Sequence, residues 1–355
     1  MSLQVISAAE ALLKLAEFDA VIDARSEDEF ALDHLPGALN WPTLTSIERA
    51  QIGTMYTQVN PFEARKRGAV MAARNIAEHI ERELLDKPKN WRPLAYCWRG
   101  GQRSGALSLI LSQIGFRVTL LEGGYKAFRA AMVHDIGRLC GALQFEVVCG
   151  PTGSGKTRLL QALALQGAQV LDLEALANHR SSVLGLPPGQ QQPSQKHFDT
   201  LIWDALRHFD PAKTVYIESE SKKVGNLALP MALLNAMYAS PCLHMQLSDP
   251  HRVILLMQDY DYLLQDVDYF CTRLELLTAH RGKALVTQWQ EQARDGIFEP
   301  VVLALLKTHY DPSYAQSMQR NFVHFANAKW LHPNDQSASA MSLLASKILN
   351  NHECI

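Results

Sequence analysis

Paired cysteines are missing from this chain. Its six cysteines, at 97, 140, 149, 242, 271 and 354, form no CxxC pair and no Cys/His set at metal-ligand spacing. That excludes a zinc-finger reading and favours reduced thiols in a cytoplasmic protein over a disulfide framework. A surplus of either charge is missing too: 34 Lys and Arg stand against 36 Asp and Glu, a formal net charge of −2. Bulk charge therefore gives no nucleic-acid signal, although a local basic patch on a neutral protein can still bind phosphates. No stretch is long and apolar enough to span a bilayer. The opening residues, MSLQVISAAEALLKLAEFDAVID, carry Glu10, Lys14, Glu17 and Asp19 through their apolar part, so no secretory leader is expected. Internal repeats and low-complexity tracts are absent as well. What is present is an ordinary globular balance, 47% hydrophobic and 20% charged residues over 355 positions, which predicts two domains. A cytoplasmic location and a monomer are the default expectations.

Short apolar runs alternate with helical ones from the start. AVIDAR (20–25), PLAYCW (93–98) and FRVTLLEGG (116–124) read as strands, with helices over 61–85 and 104–115. This alternation predicts a parallel α/β sheet covered on both faces. The pattern restarts near residue 140. FEVVCG (145–150), QVLDLE (169–174), TVYIES (214–219) and PCLHMQLS (241–248) are strand candidates, and 156–167 is a helix. Residues 250–355 read as mostly helical, with stops at Gly282 and Pro333. The expected division is 1–137 and 138–355, with GLPPGQQQPSQ (185–195) as a mobile loop in the second part.

Two loops carry the chemistry. The first is CWRGGQRS (97–104), between a strand and a helix. Gly100 and Gly101 let the backbone curl, Arg99 and Arg103 bring guanidinium charge, and the helix N-terminus adds partial positive charge. These surroundings favour a thiolate at Cys97 and an oxyanion or transferred chalcogen above it. A core thiol at a strand end is the bland alternative. Two arginines and two glycines within six residues argue against it. The second loop, GPTGSGKT (150–157), fits G-x-x-x-x-G-K-[ST] in its strand–loop–helix context. Backbone N–H groups of Gly150, Thr152, Gly153, Ser154 and Gly155 would cradle a di- or triphosphate. Lys156 would neutralise it, and Thr157 would ligate Mg²⁺. Asp172 and Glu218 end apolar strands and are candidates for a further Mg²⁺ contact, or equally for capping carboxylates. No guanine-reading NKxD and no adenine pocket signature is visible, so the loop indicates a diphosphate-bearing ligand.

The stretch VIDARSEDEFALDHLPGALNWP (21–42) places Asp23, Arg25, Glu29 and HLPGALN upstream of the cysteine loop. Signature and loop together resemble the rhodanese domain over residues 1–135. For Asp23, Arg25 and His34 a structural role is expected. The loop departs from the C-x4-R of sulfurtransferase rhodaneses: it is C-x5-R, as in rhodanese-fold phosphatases, which suits a tetrahedral phosphate-like donor. The order CWRGGQRS, GPTGSGKT, DLEALANHRSS (172–182), QPSQKHFD (192–199), YIESESKKVGN (216–226) resembles bacterial tRNA 2-selenouridine synthases along the whole chain. The resemblance implies an N-terminal rhodanese-like parallel-sheet domain and a P-loop NTPase-like α/β domain with a helical C-terminal extension. It implies tRNA with wobble 2-thiouridine as substrate, geranyl diphosphate as first co-substrate giving S-geranyl-2-thiouridine, and selenophosphate as selenium donor. It further implies that Cys97 accepts selenium, that Arg99 and Arg103 hold the phosphate, and that a selenophosphate synthetase supplies the donor. His179, Arg180 and Ser181 would meet diphosphate or tRNA phosphate, or else begin a helix on a solvated face, and Lys196 is read the same way. Two rival readings stand beside this one. A P-loop kinase fused to a sulfurtransferase or phosphatase-like domain would turn over ATP through Lys156. An RNA-binding protein using the rhodanese fold as a scaffold would be indifferent to Cys97→Ser.

Overall fold

A computed structural model describes residues 3–180 and 189–350. Part of the expected 185–195 loop, together with Ser181, Ser182 and Cys354, lies outside them. The chain divides into two compact units, Met1–Ile136 with Ser194–Asp204, and Gly137–Pro193 with Ala205–Ile355. The segment Ser194–Asp204 departs from the expected two-part division.

The first unit is built on five parallel strands, β1 (Gln4–Ile6), β2 (Ala20–Asp23), β3 (Ala38–Asn40), β4 (Pro93–Tyr96) and β5 (Thr119–Leu121), in the order β1-β5-β4-β2-β3. Strand β4 is buried at every position, which is why PLAYCW is a continuous apolar run rather than an alternating one. The short edge strands β1 and β3 escaped the sequence reading, because QVI runs into a helical pattern and ALN sits inside a turn-like PGALN. Helix Pro61–Glu83 starts where the Asn60 side chain accepts from the Phe62 and Glu63 N–H groups, with Pro61 in its first turn. Helix Gln102–Ile114 stops at Gly115, whose φ of +116° few other residues adopt. The core joins Ile22, Ile76, Leu107, Leu111, Trp41 and Trp91, with Trp91 edge-on to Phe116.

Asp23 and Arg25 hold this unit together. Both are at most 1% exposed. Arg25 donates to Asp23 Oδ2 and to the Asp33 carbonyl, each at 2.6 Å, and its guanidinium lies 4.1 Å from the Tyr125 ring centroid. Removing the arginine leaves a buried carboxylate without its counter-ion. Arg25→Met is expected to cost about 3–5 kcal/mol, read as a fall in the urea midpoint at unchanged m-value.

Helix Gln195–Leu206 contributes most of the segment that joins the first unit. Thr200 Oγ1 donates to Asp33 Oδ2 at 3.1 Å, His197 Nδ1 lies 3.4 Å from Asp33 Oδ1, and Arg129 bonds Asp199. Trp203 is fully buried, donates to Asp135 at 3.0 Å and meets Phe128 edge-on.

The second unit carries a second parallel sheet and a small hairpin. Its strands are β6 (Gln144–Cys149), β7 (Gln169–Leu171), β8 (Thr214–Glu218), the antiparallel pair β9 (Lys223–Val224) and β10 (Leu227–Ala228), then β11 (Cys242–Met245) and β12 (Lys329–Leu331). The five-stranded sheet runs β12-β11-β6-β8-β7, so β6 is central and its C-terminal end leads directly into the phosphate loop. Strand β12 is a short strand within the mostly helical stretch 250–355: Leu243 pairs with Lys329 and Met245 with Leu331. A three-residue edge strand is too short to interrupt a helical periodicity. Helix Lys156–Leu165 packs Leu159, Leu160 and Leu163 against Met341, Leu344 and Ile348 of helix Ala338–Leu349. A separate helical core gathers Phe270, Leu274, Trp289 and Val301. Among the described residues no helix is long and apolar enough to cross a membrane.

Candidate functional sites

The cysteine site sits at the C-terminal end of β4. Cys97 is 3% exposed and its sulfur accepts a hydrogen bond from Ser104 Oγ at 3.1 Å. The loop is clamped from below. The Tyr125 N–H donates to the Cys97 carbonyl at 2.8 Å and the Lys126 N–H to the Trp98 carbonyl at 3.0 Å. Gly124 (φ +57°) makes this possible: a Cβ there would lie 2.2 Å from the Cys97 carbonyl oxygen and 2.4 Å from the Gly100 nitrogen. Gly100 itself has φ +65°.

The cations are not placed alike. Arg103 donates to Glu29 at 2.6 Å, and the arginine holds that carboxyl below the usual range although burial opposes it. Arg99 is exposed and makes no hydrogen bond or ion pair among the described residues. A cleft of about 610 Å³ opens here, lined by Arg25, Glu29, Arg49, Trp98, Arg103 and Lys196 among others. Lys196 comes from the segment Ser194–Asp204, with its ammonium 5.8 Å from the Trp98 ring centroid.

The phosphate loop follows β6. Gly150, Gly153 and Gly155 have φ of +153°, +76° and +89°, so the curled backbone needs glycine at these positions. The Lys156 ammonium folds back to donate to the Gly150 carbonyl at 2.8 Å. Ser154 Oγ is buried with no hydrogen-bond partner among the described residues. Arg252 had no sequence signal, yet it is 3% exposed and donates to the Thr152 carbonyl at 2.8 Å and to Asp311 at 2.6 Å. It braces the loop from outside the motif. Beside Thr152 lies an apolar cavity lined by Leu256, Met257, Leu263, Phe270, Val302 and Leu306, among others. The Leu256 side chain would lie 3.0 Å from a Cβ at Gly153.

Carboxylates converge next to Thr157. One oxygen from each of Glu174, Glu218 and Glu220 lies within 4.8 Å of the others, and Thr157 Oγ1 donates to Glu174 Oε2 at 3.4 Å. Hard oxygen donors of this kind fit Mg²⁺. Asp172, one of the two sequence candidates, caps helix Leu173–Leu176 by accepting from the Ala175 N–H at 2.8 Å. Glu218 is 1% exposed. Burial and the neighbouring Glu174, Glu220 and Asp172 carboxylates hold its carboxyl well above the usual range, against the pull of Lys156. A raised folded-state pKa means that folding opposes ionisation, so this group lowers stability as pH climbs above its unfolded value. Glu218→Gln, which has no proton to lose, is expected to melt higher than wild type at about pH 8 without divalent ions. The difference should shrink toward pH 5, and Mg²⁺ should raise the melting temperature of wild type only.

Arg180 is held by the helix that precedes residue 260. It donates to the Asp259 carbonyl, with its guanidinium 5.1 Å from the Tyr260 ring centroid. His179 is held below its usual pKa by burial.

Both sites match known families. Residues 143–275 match the tRNA 2-selenouridine synthase AAA domain, and residues 7–131 match the rhodanese-like domain. The tRNA 2-selenouridine synthase of Alcanivorax borkumensis is 31% identical over 84% of this chain and 90% of its own. That of Shewanella pealeana is 30% identical over 90% of this chain and 94% of its own. That of Nitrosomonas europaea is 34% identical over 68% of this chain and 63% of its own. With both domains in order and the likeness sustained through most of the sequence, the chain belongs to the tRNA 2-selenouridine synthase family.

Proposed function

We propose that this protein replaces sulfur by selenium at wobble 2-thiouridine of tRNA in two steps, one at each loop. The observation that carries the reading is the pairing, in one chain, of a clamped cysteine cradle with a phosphate loop that borders an apolar cavity. An alkylating co-substrate with a diphosphate head and a hydrocarbon tail suits the second site, and geranyl diphosphate is such a molecule. The soft thiocarbonyl sulfur attacks the allylic carbon, and diphosphate departs onto the loop amides and Lys156. Thr157, Glu174, Glu218 and Glu220 would hold Mg²⁺, which would add charge neutralisation for the departing diphosphate. The cavity beside Thr152 has a volume of about 50 Å³, room for only a few waters. Seating a geranyl tail there requires the flexible Leu256 and Met257 side chains to move aside.

S-alkylation turns the thiocarbonyl sulfur into a leaving group. At the first site selenophosphate occupies the cleft beside the cysteine loop, its oxyanion facing Lys196, and Cys97 is the nucleophile that opens the donor. Selenium then adds at C2 and geranylthiol leaves. A selenophosphate synthetase is the natural supplier of this donor. The reading is tested by nucleoside mass analysis of a 2-thiouridine anticodon RNA incubated with the full chain. Geranyl diphosphate alone should give the S-geranyl base, both donors together the 2-selenouridine. Unmodified RNA under both conditions would overturn it.

A further inference from the structure

We propose that Cys97 attacks the phosphorus of the selenium donor, not its selenium, and carries a phosphoryl group through the cycle as S-phosphocysteine. This rests on the reading that selenophosphate is the donor at this cleft.

Electron counting gives the first argument. If the thiolate attacked selenium, the Se–P electron pair would stay on phosphorus and phosphite would leave. The selenium on cysteine would then need a two-electron reductant before it could end as the selenocarbonyl at C2. Attack at phosphorus needs none: the S–P bond forms, the P–Se bond breaks, and its electron pair leaves with selenium as hydroselenide. Hydroselenide adds to C2 of the S-geranyl base, and geranylthiol departs. Water then attacks the phosphocysteine, releasing phosphate and regenerating the thiol. Nothing is oxidised or reduced.

The geometry gives the second. The loop is C-x5-R followed directly by serine, Cys97 to Arg103 and then Ser104. Ser104 Oγ is fully buried and donates to the Cys97 sulfur at 3.1 Å. A hydroxyl so placed can donate to the sulfur as it attacks, and again as it leaves when water cleaves the S–P bond. The clamp at Gly124 fixes the backbone of Cys97, Trp98 and Gly100, the loop whose amides would serve the three equatorial phosphoryl oxygens. A cleft of about 610 Å³ lined by Trp98, Arg103 and Lys196 has room for a tetrahedral group and its leaving atom.

The charges in the cleft suit an oxyanion. Arg25 is committed to Asp23, and Arg49 and Arg103 share Glu29. Lys196 makes no ion pair among the described residues, so its charge faces the cleft uncompensated. Its backbone is anchored, because Arg129 donates to the Lys196 carbonyl at 2.7 Å. The Ser194 hydroxyl also donates to the Leu32 carbonyl.

The experiment uses the full chain with thiophosphate, the stable sulfur analogue, and with selenophosphate. After acid quenching, the peptide containing Cys97 is weighed. Thiophosphate separates the two routes: a phosphoryl adduct with hydrosulfide in solution is expected, whereas a single added sulfur atom with phosphite in solution would overturn the proposal. Ser104→Ala should slow formation of the adduct about tenfold, the effect of one lost hydrogen bond to a charged partner. An aryl phosphate supplies a readout independent of selenium, and its slow hydrolysis should vanish in Cys97→Ser. If the phosphoryl adduct forms but RNA is never selenated, the underlying reading fails and phosphoryl transfer stands. If RNA is selenated and no adduct or aryl phosphate hydrolysis is seen, the proposal fails and the reading stands.

Discussion

Cys97→Ala is expected to stop the reaction at the S-geranyl base, with selenation falling by at least about a thousandfold, as when a covalent nucleophile is removed. The alkylation step should keep its wild-type rate, because the thiol belongs to the first unit and the phosphate loop to the second. The variant should also fold. Cys97 is one small buried side chain among many, and alanine removes little more than a sulfur atom, so the loss is chemical. Reversed-phase separation of digested RNA, with time courses for both products, checks both halves of the expectation. A variant that still selenates would place the nucleophile elsewhere.

Lys156→Ala is expected to have the complementary effect, a fall of about 10²–10³ in the alkylation rate, as for a lost donor to developing negative charge. The ligand-free lysine bonds the Gly150 carbonyl, a contact it can exchange for diphosphate oxygens without moving the loop. Its removal therefore takes away charge at the departing diphosphate while the glycine-built curl and the Arg252 brace remain. Supplied with RNA that already carries the S-geranyl base, this variant should selenate normally.

The chemistry-bearing loops were legible because each is a contiguous motif whose residues do their work within one turn of chain. CWRGGQRS and GPTGSGKT needed only their strand–loop–helix context, and both are found in it. What could not be read is whatever tertiary packing brings in. Arg252 lies 100 residues from the Thr152 it braces, in a helix whose sequence reads as ordinary amphipathic surface. Glu174 reaches the Thr157 hydroxyl, whereas Asp172, two residues earlier and at the end of the apolar run, is spent on a helix cap. Asx capping and metal ligation use the same side chain, so spacing cannot separate them. The segment Ser194–Asp204 follows the phosphate-loop motifs in sequence yet packs in the other unit through Asp33, Arg129 and Asp135. Helix amphipathicity shows that a face is buried, not which partner covers it. The edge strands β1, β3 and β12 were missed because three residues carry no resolvable period.

In the proposed reaction two sites act in sequence on one base. The most direct test is a relay. RNA is first incubated with Cys97→Ala, geranyl diphosphate and Mg²⁺, stripped of protein, and then given to Lys156→Ala with selenophosphate. 2-Selenouridine is expected from this pair in that order, and none when the order is reversed. Failure of Lys156→Ala to selenate the geranylated RNA, with wild type succeeding on the same sample, would contradict it.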